Sequence, residues 1–173
     1  MTSMARSAVL LVVLSGYLGG ARLEAQHVSV VEDTLRFGRF GLVHVYRGSE
    51  RPSHVALFAS GDGGWNLGVV TMARALSAHG ALVAGFDVVS YLKALEESTE
   101  SCSYPAGDFE ALGHYLEQRY AFSTYDAPVL VGYSSGATLV YATAAQAPPN
   151  TFRGASCPAS RPRCLIRSPA CLL

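Results

Sequence analysis

The apolar run Pro128-Val-Leu-Val131 passes without a break into Gly132-Tyr-Ser-Ser-Gly136, and helix-compatible residues follow from Ala137 to Gln146. Glycines two residues before and two after Ser134 fit a strand-to-helix turn too tight for a Cβ at either place. Such a turn stands at the end of a buried parallel strand and lifts the serine hydroxyl above the sheet, where it is able to attack an ester carbonyl. Ser134 is therefore the candidate nucleophile. The backbone N–H of Ser135, the next residue, is a candidate oxyanion donor. The continuation is unusual, because Ala127 to Leu173 contains no Asp, Glu or His.

The rest of the chain supplies the sheet that this turn requires. Leu42–Tyr46, His54–Ala59, Leu82–Asp87 and Val129–Tyr133 read as strands, the later ones as apolar runs buried on both faces. Helices are expected over Leu67–His79, with Val69, Met72, Ala73 and Leu76 on one face and Gly80 as the C-terminal stop. A second covers Ala106–Tyr120, with Phe109, Leu112, Leu116 and Tyr120 on its stripe and Glu110, Glu117 and Arg119 off it. A third, Ser135–Gln146, stops at Pro148-Pro149. Strands alternating with helices predict an α/β fold with a doubly wound parallel sheet. Its 173 residues suit one domain, and a half-apolar chain of zero net charge is neither disordered nor a nucleic-acid surface. One lysine, Lys93, against twelve arginines reads as coding bias.

Residues 1–25 have the layout of a signal peptide. Arg6 precedes the apolar run Ala8–Leu18, and small residues offer cleavage after Ala21 or Ala25. Export to an oxidising compartment would let Cys102 form a disulfide. The expected domain covers residues 26–155. The tail, residues 156–173, carries three of the four cysteines, three arginines and three prolines without apolar periodicity. It reads as aberrant or disordered, the product of a shifted reading frame or a truncation.

A second constellation, Ser60-Gly-Asp-Gly-Gly-Trp65, follows the His54–Ala59 strand. The loop in this place supplies the second oxyanion donor in hydrolases of this topology, and Asp62 or Gly63 would provide it. The glycine run has neither a P-loop ending nor dinucleotide-binding spacing. Asp87 ends a buried strand on the same sheet edge, where ligands of open α/β sheets bind; a helix-capping role is equally compatible with it. Trp65, Asp87 and Tyr133 are taken as the substrate-binding set, with Tyr91 a further candidate for the cleft wall. None of His27, His44, His54, His79 and His114 is nominated as a base. No metal or cofactor is called for.

The segments Ser60–Trp65, Gly85-Phe-Asp87 with Tyr91-Leu92, Cys102-Ser-Tyr-Pro-Ala-Gly-Asp108, Val131–Ala137 and Pro148–Ala155 together resemble the bacterial virulence proteins VirJ and AcvB, from about His54 to Ala155. The resemblance implies an exported, periplasmic serine lipase or esterase of α/β-hydrolase fold, here incomplete at its C-terminal side. It implies Ser134 as nucleophile and the Ser60–Trp65 loop as oxyanion hole. It also implies a lipid ester substrate, aminoacylated phosphatidylglycerol foremost, reached by peripheral contact with membrane lipid. Virulence and type IV secretion are the family's setting. Cys157-Pro158 resembles a family cysteine-proline, which implies a Cys102–Cys157 disulfide. A carboxylate beside the ester pocket, Asp62 or Asp87, suits an aminoacyl ammonium group. Because the family's later acid and histidine have no match after Ala155, a non-catalytic remnant or lipid-binding module is the competing expectation.

Overall fold

A computed structural model describes residues 29–99 and 102–156, and the expected apolar runs meet in one sheet. In chain order the elements are β1 (Val31–Phe37), a 3-10 turn (Gly38–Phe40), β2 (Gly41–Arg47), β3 (His54–Ala59), α1 (Leu67–Ala78), β4 (Ala81–Phe86), α2 (Val88–Glu96), α3 (Pro105–Arg119), β5 (Val129–Gly132), α4 (Ser135–Gln146) and β6 (Gly154–Ser156). The sheet order is β1-β2-β4-β3-β5-β6. Strands β4, β3, β5 and β6 are parallel, whereas β2 pairs antiparallel with both β1 and β4. The sheet is thus mixed, its parallel part lying where the apolar runs predicted it.

Alternation along the central strands explains why both faces are covered. Val55, Leu57 and Ala59 of β3, with Leu82, Ala84 and Phe86 of β4, join one core with Phe109, Leu112 and Leu116 of α3 and with Leu139 and Val140 of α4. Ala56 and Phe58, with Ala81 and Val83, turn to the other face and meet Val69 and Ala73 of α1. A residue slip in either strand would exchange the two faces, so both cores fix the register. Gly80, at φ +93°, ends α1 as expected, its N–H bonding to Ser77 O at 3.0 Å.

Three elements escape the sequence reading. Strand β1 is charged and largely exposed, with only Leu35 buried, because it lies at the sheet edge. Helix α2 is short and opens with two β-branched valines. Strand β6 has three exposed residues and exists through its parallel pairing with β5. Glu117 also requires a correction, since it is buried at 5% exposure instead of lying on the solvent side of α3. Its two carboxylate oxygens accept the Asp126 N–H at 3.1 and 3.3 Å, tying α3 to the loop that leads into β5. Burial pushes its pKa up. The expected signal peptide, Cys157 and the tail beyond Ser156 lie outside the described residues.

Candidate active site

The carboxyl ends of β3 and β5 are neighbours in the sheet, and this adjacency assembles the site. After Gly132 the backbone turns sharply, and Ser134 takes φ 53°, ψ −120°, outside the favoured regions for a residue with a Cβ. Hydrogen bonds over-determine the turn. Tyr133 N donates to Ala59 O at 3.1 Å, Gly136 N to Tyr133 O at 2.9 Å, and Ala137 N to Ser134 O at 3.0 Å. The flanking glycines are steric necessities. A Cβ on Gly132 would lie 2.3 Å from Gly136 O, and one on Gly136 would lie 2.2 Å from Ser60 O. Tyr133 and Ser134 are exposed as a result. Ser135 heads α4, where first-turn N–H groups have no intrahelical acceptor, so its N–H is available to a ligand.

The loop after β3 folds against this elbow. Gly64 N donates to Gly61 O at 2.9 Å, closing a turn over Gly61–Gly64 with Gly64 at φ +78°. A Cβ on Gly61 would stand 3.1 Å from Ser134 Cβ and 3.2 Å from the Tyr133 ring. Asn66 closes the loop's far end, donating from Nδ2 to Gly63 O at 3.0 Å and accepting Gly68 N–H at 3.3 Å as the N-cap of α1. Asp62 and Gly63 are exposed at the tip. The loop after β3 and the elbow after β5 are therefore in direct contact, Gly61 against Ser134 and Tyr133.

Asp87 takes the helix-capping role that its position allowed. Its Oδ1 accepts Ser90 N–H at 2.7 Å as the N-cap of α2, while Oδ2 packs against Gly64 of the loop. A carboxylate therefore lies against the loop after β3. Trp65 instead lies across the sheet. Its indole stacks on His44 at 5.6 Å, donates to the Tyr46 hydroxyl at 3.0 Å and occupies the space a side chain at Gly85 would need. Tyr133 is 39% exposed at the elbow. Tyr91 belongs to the core, stacked on Phe40 at 4.7 Å and donating to Asp108 at 2.8 Å. Burial lowers the pKa of His44. His54 bonds to Ser53, His79 caps α1 and His114 stacks on Tyr125. Cys102 is disulfide-bonded, and the Cys157 proposed for it lies outside the described residues.

Ser60 opens the loop expected to form the oxyanion hole, but the sequence assigned its side chain no role of its own. It is fully buried, and its hydroxyl accepts Val88 N–H at 3.0 Å while donating to Gly61 O at 3.1 Å. Nothing in the local sequence signals this, because the Val88 partner comes from another strand–helix junction. Among the described residues, no group of three or more His, Cys, Asp or Glu is placed to hold a metal, and no helix is long and apolar enough to cross a membrane.

The sequence model of the family described as bacterial virulence protein (VirJ) matches residues 53–155. Among solved structures, the siderophore hydrolase EstB from Aspergillus fumigatus is similar at a TM-score of 0.53 and 17% identity, over 75% of this chain and 43% of that one. The Francisella virulence factor BioJ is similar at 0.51 and 11% identity, over 75% and 43%. The chain spans about half the length of the solved structures it matches. No curated protein matches it by sequence. The shared architecture is the α/β-hydrolase fold.

Proposed function

The chain belongs to the VirJ family of bacterial virulence proteins, and on that premise we propose that it is an exported serine esterase whose nucleophile is Ser134. The observation that carries this reading is the strained Ser134 backbone, held between two glycines that admit no Cβ and packed against Gly61. Strain of this kind persists only where surrounding structure enforces it, and it is concentrated at functional sites. In the proposed reaction Ser134 Oγ bonds to the carbonyl carbon of an ester. The carbonyl oxygen becomes an oxyanion held by backbone N–H groups of Ser135 and of the Asp62–Gly63 turn. The C–O bond to the alcohol then breaks, the alcohol leaves with a proton, and water cleaves the acyl-serine.

The substrate class that suits this cleft and family is a lipid ester, with aminoacylated phosphatidylglycerol the specific candidate. Asp87, beside Gly64, and Asp62, at the loop tip, would meet the ammonium group of such a substrate. The Cys102 disulfide supports an oxidising, periplasmic location. A second reading, a lipid-binding module without turnover, is favoured by one observation. Ala127–Leu173 contains no Asp, Glu or His side chain, so an acid and a base for the serine would have to come from outside that segment.

A fluorophosphonate probe separates the two readings. Covalent labelling of the purified protein that disappears in Ser134→Ala is the outcome expected of the esterase, and an unlabelled folded protein would leave only the binding module. In a labelled protein, Asp87→Asn and Asp62→Asn are expected to reduce the preference for lysyl over uncharged lipid esters. An unchanged preference would remove the ammonium assignment.

A further inference from the structure

We propose that Ser60 is a positioning residue that orients the Gly61–Asp62 peptide, so that the Asp62 N–H is the loop's oxyanion donor; this rests on the esterase reading above. The Ser60 side chain is completely buried. Its hydroxyl has one donor and one principal acceptor: it receives Val88 N–H at 3.0 Å and gives its own proton to Gly61 O at 3.1 Å. The Ser60 backbone is tied down as well, its N–H donating to Phe86 O at 3.1 Å. Gly61 O accepts a second bond, from Gly64 N at 2.9 Å.

The consequence follows from peptide planarity. All peptide bonds of the described residues are trans, and in a trans peptide the N–H points opposite to the C=O. Two hydrogen bonds that fix Gly61 O therefore fix the opposite direction of the Asp62 N–H. Gly61 is also the loop residue that abuts Ser134, so the oriented peptide begins beside the serine. The Gly63 N–H belongs to the central peptide at the exposed tip of the turn, whose orientation those two bonds do not fix directly. Oxyanion stabilisation depends on donors oriented before the charge develops, which favours the Asp62 N–H over that of Gly63. Through Val88, the first residue of α2, the same hydroxyl anchors the loop to the helix that Asp87 caps.

The test follows covalent labelling of the full chain by a fluorophosphonate over time at several probe concentrations, which separates the maximal rate from the half-saturating concentration. Ser60→Ala is expected to lower the maximal rate about 10- to 100-fold and to leave half-saturation within about twofold, because the lost interaction acts on the transition state. Ser60→Thr, which keeps the hydroxyl, is expected to recover most of the rate. Val88→Pro removes the N–H that anchors Ser60 while keeping a residue favoured at the first position of a helix. The extended Asp87 (φ −79°, ψ 116°) accommodates it, and a smaller loss, about 3- to 10-fold, is expected. A folded Ser60→Ala protein labelled at the original maximal rate would overturn the inference. Should Ser60→Ala not fold, an unchanged rate in Val88→Pro would do so. Absence of Ser134-dependent labelling in the unaltered chain would instead overturn the esterase reading, and this inference with it.

Discussion

Gly132 and Gly136 were legible in the sequence through their spacing about Ser134, but only Gly132 answers to its own turn, a Cβ there meeting Gly136 and Ala137. The atoms that exclude one at Gly136 belong to Ala59 and Ser60. The role of Ser60 was not legible, since the acceptor and donor that define it are set by where β3 and the start of α2 meet. The glycine requirement is directly testable. Gly136→Ala drives a Cβ to within 2.2 Å of Ser60 O and 2.5 Å of Ala59 O. Neither atom is a flexible side-chain end, so β3 and α4 must separate. Destabilisation of about 1–3 kcal/mol or more is expected, measured by urea unfolding, together with loss of fluorophosphonate labelling. The Ser134 conformation is held by those same contacts, so its strain and the glycine clashes are two consequences of one tight approach.

At the level of elements, a part-buried polar cluster joins parts far apart in sequence. Asp108 on α3 receives the Tyr91 hydroxyl of α2 at 2.8 Å and Arg39 of the 3-10 turn at 3.0 and 3.1 Å. Burial pushes the Tyr91 pKa far up, the neighbouring Asp108 charge adding to the effect, so the phenol stays a donor at any physiological pH. Asp108→Ala takes the acceptor from a buried hydroxyl and is expected to cost about 1–3 kcal/mol. Tyr91→Phe, which removes the donor, should cost only about 0.5–1.5 kcal/mol, with urea denaturation as the readout. Helix α3 was foreseen from its apolar stripe, yet the same periodicity misplaced Glu117, because the 120–127 loop covers that flank and supplies an N–H to the carboxylate. With its pKa raised by burial, Glu117 holds its proton more tightly in the folded state than in the unfolded one. The folded state therefore binds more protons, and this contribution to stability is full below the ordinary glutamate value and lost as pH rises through the raised one. Glu117→Gln keeps a carbonyl acceptor for Asp126 N–H and removes the titration. The fall in unfolding free energy over that interval should accordingly flatten in the variant, as measured by denaturation at a series of pH values.

The described residues form a mixed sheet covered on both faces, with the candidate site where β3 and β5 end side by side. Cys102 adds a covalent tie, and reductant is expected to lower the unfolding free energy by about 2–4 kcal/mol. Cys102→Ser should start from the lower value and be insensitive to reductant, a comparison read from paired denaturation curves. The sequence by itself determined the α/β class, three of the helices, the buried central strands and the elbow at Ser134. Each of these is written in apolar period, glycine spacing or capping residues, and such signals act over one or two turns of chain. Strand β1, short α2 and three-residue β6 carry no such signal, and their pairing and packing partners define them. Only the tertiary structure decided that β2 would run antiparallel beside β4, that Trp65 would fill the space over Gly85, and that Asp87 would both cap α2 and border the loop. It also brought the Ser60 hydroxyl between two backbone groups beside the serine. These are contacts between segments distant in sequence, and their geometry exists only once the sheet has chosen its strand order.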